Sequence, residues 1–322
     1  MRVVQVREPG GPEALEVAEA QAPTPGPGEV LIRLAASGVN FIDVYFRTGL
    51  YKAERPTRLG SEGAGTVEAV GEGVTEVKPG DRVAYAMVRG SYAELAVVPV
   101  RYAVTIPDGV ELVTAAGAML QGMTAHYLTK STFPLAKEHT CLVHAAAGGA
   151  GGMIVQMAHR AGARVIGTVS TPAKADVARR HGADEVILYT EQDFEAEVKR
   201  LTGGRGVDVV YDSVGKSTFD GSLGSLRPRG MLVLFGQSSG PVPPFDPATL
   251  NTKGSLFLTR PSLAHYLQTR DEVAWRAGEL FDALRTGAIS LDLHAALPLE
   301  RAADAHRLLE GRTTTGKLVL TI

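Results

Sequence analysis

The stretch Cys141-Leu142-Val143-His144-Ala145-Ala146-Ala147-Gly148-Gly149-Ala150-Gly151-Gly152 decides the fold. It begins as a short strand, passes through a glycine turn and enters a helical pattern that runs to about Ala161. Ala146, Gly148 and Gly151 fall at the three small-residue positions of a dinucleotide-binding turn, with alanine in place of the first glycine. The first position permits the tight turn, Gly148 lets backbone approach a pyrophosphate, and Gly151 lets helix pack against strand. Gly149 and Ala150 complete the loop, where the free N–H groups and positive dipole end of the helix would face the diphosphate. The same small residues would equally serve a turn that needs them for packing alone, so the rest of the chain must separate the two readings.

Downstream of the turn, strand and helix patterns alternate. Arg164–Val169, Glu185–Tyr189, Val207–Tyr211, Met231–Phe235 and Ser255–Thr259 read as strands. Between them Phe194, Val198 and Leu201, and then Phe219, Leu223 and Leu226, recur at helical spacing. Such alternation predicts an α/β domain whose parallel sheet is covered on both faces, and the glycine turn leads its first strand. Residues 1 to about 120 have a different rhythm. Pro23, Pro25, Gly26, Pro27 and Gly28 form a breaker cluster, and Val30, Ile32, Leu34 and Ala36 then alternate as in a half-buried strand. Thr66–Val70 reads as another strand, and Lys78-Pro79-Gly80-Asp81 as a turn. From about Arg260 the chain reads as mostly helical through Leu309, ending in a strand, Lys317–Thr321.

Composition narrows the function classes. A chain of 322 residues, 44% hydrophobic and 21% charged, suits two globular domains. A net charge of −2 without basic or acidic blocks argues against nucleic acid or an anionic membrane surface as partner. Cys141 is the single cysteine, which excludes an internal disulfide and a multi-cysteine metal site. Charges interrupt the N-terminus before any signal-type apolar run, and the uncharged stretch Thr140–His159 carries four glycines, His144 and Gln156. A cytoplasmic, soluble protein is expected.

The second strand of the α/β region sets the dinucleotide. An NAD-binding protein places Asp or Glu at its end to hold the ribose 2′-hydroxyl. Here the chain reads Thr168-Val169-Ser170-Thr171-Pro172-Ala173-Lys174, without an acid. Ser170 is placed to donate to a 2′-phosphate and Lys174 to pair with it, which points to NADPH. Tyr189, ending the third strand, would border the adenosine side.

With these motifs in hand, the chain resembles the zeta-crystallin-like NADPH:quinone oxidoreductases of the medium-chain dehydrogenase/reductase superfamily. The resemblance spans essentially the whole length. It is carried by Gly38-Val39-Asn40-Phe41-Ile42-Asp43-Val44-Tyr45-Phe46-Arg47-Thr48-Gly49-Leu50-Tyr51, Gly60-Ser61-Glu62-Gly63-Ala64-Gly65 and Gln121-Gly122-Met123-Thr124-Ala125, besides the glycine turn. Tyr211-Asp212-Ser213-Val214-Gly215 and Gly254-Ser255-Leu256-Phe257-Leu258-Thr259-Arg260-Pro261 carry it further. It implies a GroES-like β-rich catalytic domain (1–122), an inserted Rossmann doubly wound parallel-sheet domain (123–259) and a return to the first domain (260–322). It also implies a homodimer through the edge strand Ser255–Thr259. By the resemblance, Asn40, Thr124, Gly148, Ala150, Gly151, Ser170, Lys174, Tyr189, Phe235, Gly236, Ser238, Phe257 and Arg312 contact the cofactor, and Tyr45 and Tyr51 line the quinone pocket. Relatives often carry lysine where Gln121 stands, so glutamine would act there by hydrogen bonding.

The zinc alcohol dehydrogenases of the superfamily use a histidine in a Gly-His-Glu motif, where this chain has Gly60-Ser61-Glu62. Catalytic zinc needs three protein ligands, and His126, His144, His159 and His181 show no metal-ligand spacing. No metal is expected. A quinone needs no Lewis acid to accept hydride, so the protein's task reduces to proximity and orientation. Asn40, one of only two asparagines, is expected to fix the cofactor ribose or carboxamide, and Tyr45 or Tyr51 to hydrogen-bond or stack on the substrate. Reduction of activated C=C bonds in enones or enoyl thioesters, and a non-catalytic NADPH-binding role, are the alternatives.

Overall fold

The chain opens on an antiparallel pair, β1 (Arg2–Val6) and β2 (Glu16–Glu19), and then forms the long β3 (Glu29–Val39). In β3 the alternation seen in the sequence becomes burial: Val30, Ile32, Leu34 and Ala36 are at most 4% exposed, while Arg33 faces solvent. After α1 (Phe41–Arg47) come β4 (Thr57–Arg58), β5 (Glu62–Val70), β6 (Arg82–Ala86), β7 (Leu95–Pro99), β8 (Val104–Thr105) and α2 (Leu112–Tyr127). The strand expected at Thr66–Val70 begins earlier, at Glu62, and pairs with β3 and β6.

A second run follows: β9 (Thr140–His144), α3 (Gly149–Arg160), β10 (Arg164–Val169), α4 (Pro172–Arg180), β11 (Glu185–Leu188), α5 (Phe194–Leu201), β12 (Val207–Asp212), α6 (Phe219–Ser225), β13 (Leu226–Leu234), α7 (Ala248–Thr252) and β14 (Phe257–Thr259). Its strands form one parallel sheet in the order β11-β10-β9-β12-β13-β14. The order reverses beside β9, so the turn after β9 sits at the switch point of a doubly wound sheet, where such folds bind ligands. Leu142, Ile166, Ile187, Val198, Val210, Phe219, Leu223 and Leu232 pack its core, each contributing ~1.5–3 kcal/mol by burial.

The last segment comprises α8 (Arg270–Arg285), β15 (Leu293–Pro298), α9 (Ala302–Glu310) and β16 (Lys317–Thr321). In this computed structural model, which describes all 322 residues, the chain divides into two units. One is Met1–Met123 with Leu267–Ile322, and the other is Thr124–Tyr266. The first holds the sheet β15-β16-β3-β5-β6-β8, with β7 on β3, and the small sheet β2-β1-β4.

One local reading is corrected. Leu226 does not continue the helix of Phe219 and Leu223; it opens β13 opposite Val207, because Pro228 lacks a helical N–H and clashes with the preceding turn. The span from Arg260 to Leu309 is mostly helical but not throughout, since β15 lies within it, parallel to β16. It is an edge strand in which Leu297 alone is buried, so it carries almost no apolar alternation. The second unit runs on through Tyr266, whose ring stacks on Tyr127 with centroids 4.3 Å apart.

Candidate functional site

The glycine turn has the geometry of an anion cradle. Gly148 caps α3 in an extended conformation, its N–H held by the Ala145 carbonyl at 2.8 Å, and the first bond inside the helix runs from the Gly152 N–H to the Gly148 carbonyl. The N–H groups of Gly149, Ala150 and Gly151 therefore precede any intrahelical acceptor and remain to meet a ligand. A Cβ on Gly151 would stand 2.2 Å from the Ala145 carbonyl oxygen, so only glycine lets helix and turn close this far. The residues present fit a dinucleotide.

Beneath the turn lies a polar core that sequence reading missed. His144 Nδ1 meets Thr168 Oγ1 at 2.8 Å and Nε2 meets Ser222 Oγ at 3.0 Å. The Asp212 carboxylate accepts from Ser222 and Thr218 hydroxyls and from the Val214 and Gly215 N–H groups. Burial holds the His144 pKa below its ordinary value. The signal was available: His144 and Asp212 are polar residues ending strands that are mostly apolar.

Ser170 and Tyr189 follow the carboxyl ends of the neighbouring strands β10 and β11, joined there by bonds from the Tyr189 N–H to Val169 O (3.1 Å) and from Thr190 Oγ1 to Ser170 O (3.1 Å). Lys174 stands in the first turn of α4, its N–H accepted by the Thr171 cap, and burial lowers its pKa. Asp176, the nearest acid, is exposed on the same helix. Phe235 and Gly236 donate to the Asp212 carbonyl and Ser238 to the Ser213 carbonyl, which fixes the loop after β13 against the loop after β12. Gly148, Ser170, Tyr189 and the Phe235–Ser238 loop thus share the carboxyl side of the sheet. Phe257 stands apart on the outermost strand, 57% exposed.

The first unit holds Asn40, Tyr45, Tyr51 and Arg312. Tyr45 on α1 and Tyr51 just beyond it pack edge to face with centroids 5.2 Å apart, and Phe46 adds a third ring at 5.6 Å from Tyr51. Tyr51 is half-buried, and its N–H bonds the Tyr45 carbonyl. Arg312 lies after α9 in a left-handed conformation (φ 54°). Thr124 is half-buried on α2.

Asn40 follows β3 directly, and its carboxamide is already fully engaged. Nδ2 donates to Glu62 Oε1 at 2.7 Å, and Oδ1 accepts from Lys317 Nζ at 2.7 Å and Gln121 Nε2 at 3.1 Å. Glu62 and Lys317 are 0% exposed and paired at 2.6 Å. The adjacent strands β16, β3 and β5 bring these residues together, with Leu318 opposite Val39 and Gly63 opposite Ser37. Gly38 makes room: a Cβ there would stand 2.1 Å from Glu62 Oε1. Asn40 is expected to hold the cofactor; in the structure its side chain joins the buried ion pair of Glu62 and Lys317.

Asp43, in the first turn of α1, accepts from the Asn40 N–H (3.0 Å), the Ser61 hydroxyl (2.8 Å) and the Tyr92 hydroxyl (3.3 Å). Burial pushes its pKa up to about 7 against the opposing pull of the Ser61 hydroxyl, the Asn40 N–H and Lys317. Beyond Tyr92 the line continues through His306 and Arg47 to Glu310, which holds the Arg47 guanidinium with both oxygens.

Residues 26–108 match the family model of the alcohol dehydrogenase GroES-like domain, and residues 149–272 that of zinc-binding dehydrogenases. A quinone oxidoreductase of Pseudomonas aeruginosa is 47% identical over 98% of both chains. The chain belongs to the quinone oxidoreductase family. A 2-haloacrylate reductase from a Burkholderia species is 43% identical over 98% of this chain and 97% of its own. The Escherichia coli quinone oxidoreductase, solved with NADPH, superimposes at a TM-score of 0.98 with 41% identity and full coverage of both chains.

The zinc in the name of one family model finds no seat in this chain. Ser61 is spent on Asp43, Cys141 is fully buried in β9 with its pKa pushed up by burial, and no three His, Cys, Asp or Glu side chains gather where they could hold a metal ion. No helix is long and apolar enough to cross a membrane.

Proposed function

We propose that this chain reduces small quinones with NADPH. The observation that carries this reading is the glycine cradle at the switch point with Ser170 and Lys174, and no acid, at the end of β10. When bound, NADPH supplies the hydride. The chain's own residues bind the diphosphate at Gly148–Gly151, hold the 2′-phosphate through Ser170 and Lys174, and border the adenosine with Tyr189. The loop of Phe235, Gly236 and Ser238 supports the nicotinamide side, with Thr124, Phe257 and Arg312 as further contacts. Tyr45 and Tyr51 orient the substrate, and water supplies the one proton that converts the hydroquinone anion to the hydroquinone.

Lysine against phosphate contributes about 1.5–3 kcal/mol, or about tenfold or more in affinity. Lys174→Ala is therefore expected to raise the Kd for NADPH at least that far and leave NADH nearly unchanged; equal losses would remove Lys174 from the phosphate site. Tyr51→Ala is expected to lower kcat/KM for quinones severalfold, with the NADPH Kd measured without quinone unchanged. A parallel fall in both would place Tyr51 on the cofactor.

The 43% identity to a 2-haloacrylate reductase favours a second reading, reduction of an activated C=C bond. A steady-state screen of NADPH oxidation decides between them. Turnover of enones with none of quinones would replace the first reading by the second. A homodimer through β14, supported by the exposed Phe257 on that edge strand, goes with either reading; a single-chain mass by sedimentation would remove it.

A further inference from the structure

Glu62, Lys317, Asn40 and Gln121 form a line of hydrogen bonds whose direction is set at one end. An ammonium only donates, so Lys317 Nζ at 2.7 Å requires that Asn40 present its oxygen. The Asn40 nitrogen then faces Glu62, which only accepts. With Asn40 Oδ1 fixed as an acceptor, Gln121 must turn its nitrogen toward it. The remaining end of Gln121 is consequently its carbonyl oxygen, and Oε1 is buried with no partner in the protein. A buried carbonyl without a donor is destabilising, yet four residues cooperate to hold it so. Gln121 and Thr124 stand three residues apart on α2 and so share a face; both are half-buried, whereas Gly122 and Met123 between them are buried.

From this polarity we infer that Gln121 Oε1 is a binding contact for a hydrogen-bond donor of the cofactor's nicotinamide riboside half, a ribose hydroxyl or the carboxamide N–H. A quinone offers only acceptor oxygens and cannot satisfy it. Lys317 and Glu62 are positioning residues, acting through Asn40 to keep the free end of Gln121 an acceptor. The inference rests on NADPH as the cofactor.

The test compares two probes by calorimetry: NADPH, and 2′,5′-ADP, which keeps both phosphates of the adenosine half but lacks nicotinamide riboside. Gln121→Leu is expected to raise the NADPH Kd about tenfold and leave 2′,5′-ADP unchanged. The double variant Glu62→Gln/Lys317→Met removes both charges and the constraint on amide direction, so Asn40 and Gln121 can turn over and present a nitrogen instead. It is expected to weaken NADPH similarly, again without touching 2′,5′-ADP. Unchanged NADPH binding in both variants would overturn the inference, leaving Oε1 an unpartnered carbonyl of the protein interior. Equal losses for both probes in both variants would overturn it too, since damage would then be global. Failure of the unaltered protein to bind 2′,5′-ADP would instead overturn the cofactor reading underneath.

Discussion

Lys317→Met is expected to cost about 3–5 kcal/mol of folding stability. Its ammonium donates to Glu62 Oε1, Asn40 Oδ1 and the Val39 carbonyl, and both members of the pair are wholly buried. Removing it leaves the Glu62 carboxylate with only the Asn40 amide and the Leu120 N–H as donors, in a place where water cannot help. The cost lies mainly in the uncompensated charge rather than in the pair itself, because desolvating two ions offsets most of their attraction. Glu62→Gln/Lys317→Met should therefore recover most of the loss, with a coupling of about 2 kcal/mol or more in a double-mutant cycle. Denaturant unfolding of the four proteins measures it. A single-variant loss under about 1 kcal/mol, or strict additivity, would mean that the pair is not a unit.

The parts of this fold that were legible are those where local pattern and tertiary environment agree. Arg164–Val169 and Lys317–Thr321 are strands with those very bounds because buried parallel and central strands read as nearly unbroken apolar runs. β15 was illegible because an edge strand with one buried residue has no pattern to read. The site divides in the same way. The glycine turn, Ser170 and Lys174 follow one another within about 30 residues, and their spacing is itself the signal. Glu62 and Lys317 stand 255 positions apart. Nothing local marks either as buried, since lysine opening a terminal strand is ordinarily solvated; only the pairing of β16 with β3 joins them. For the same reason the partners of Asn40 were illegible: the groups that engage its amide lie on three other segments.

Asp43 gives the fold a pH dependence of definite sign. Its ordinary pKa of 3.8 is raised in the folded protein to about 7, chiefly by burial. The folded state thus holds the proton over a range where the unfolded chain has released it. Stability associated with the neutral acid is fully present below about pH 4 and is lost as pH rises through about 7. At 1.36 kcal/mol per unit, the swing is at most about 4 kcal/mol. Asp43→Asn keeps the neutral form at every pH. Its oxygen still accepts the Asn40 N–H, and its nitrogen donates to the Ser61 oxygen once that hydroxyl turns. The variant should match the parent near pH 4 and exceed it by a few kcal/mol at pH 8–9. Denaturant midpoints for the two proteins across pH 4–9 check this, their difference isolating Asp43 from groups they share. A difference that stays level across the range, or that favours the parent at high pH, would show that the carboxyl is ionised throughout, held by its three donors and Lys317 strongly enough to outweigh burial.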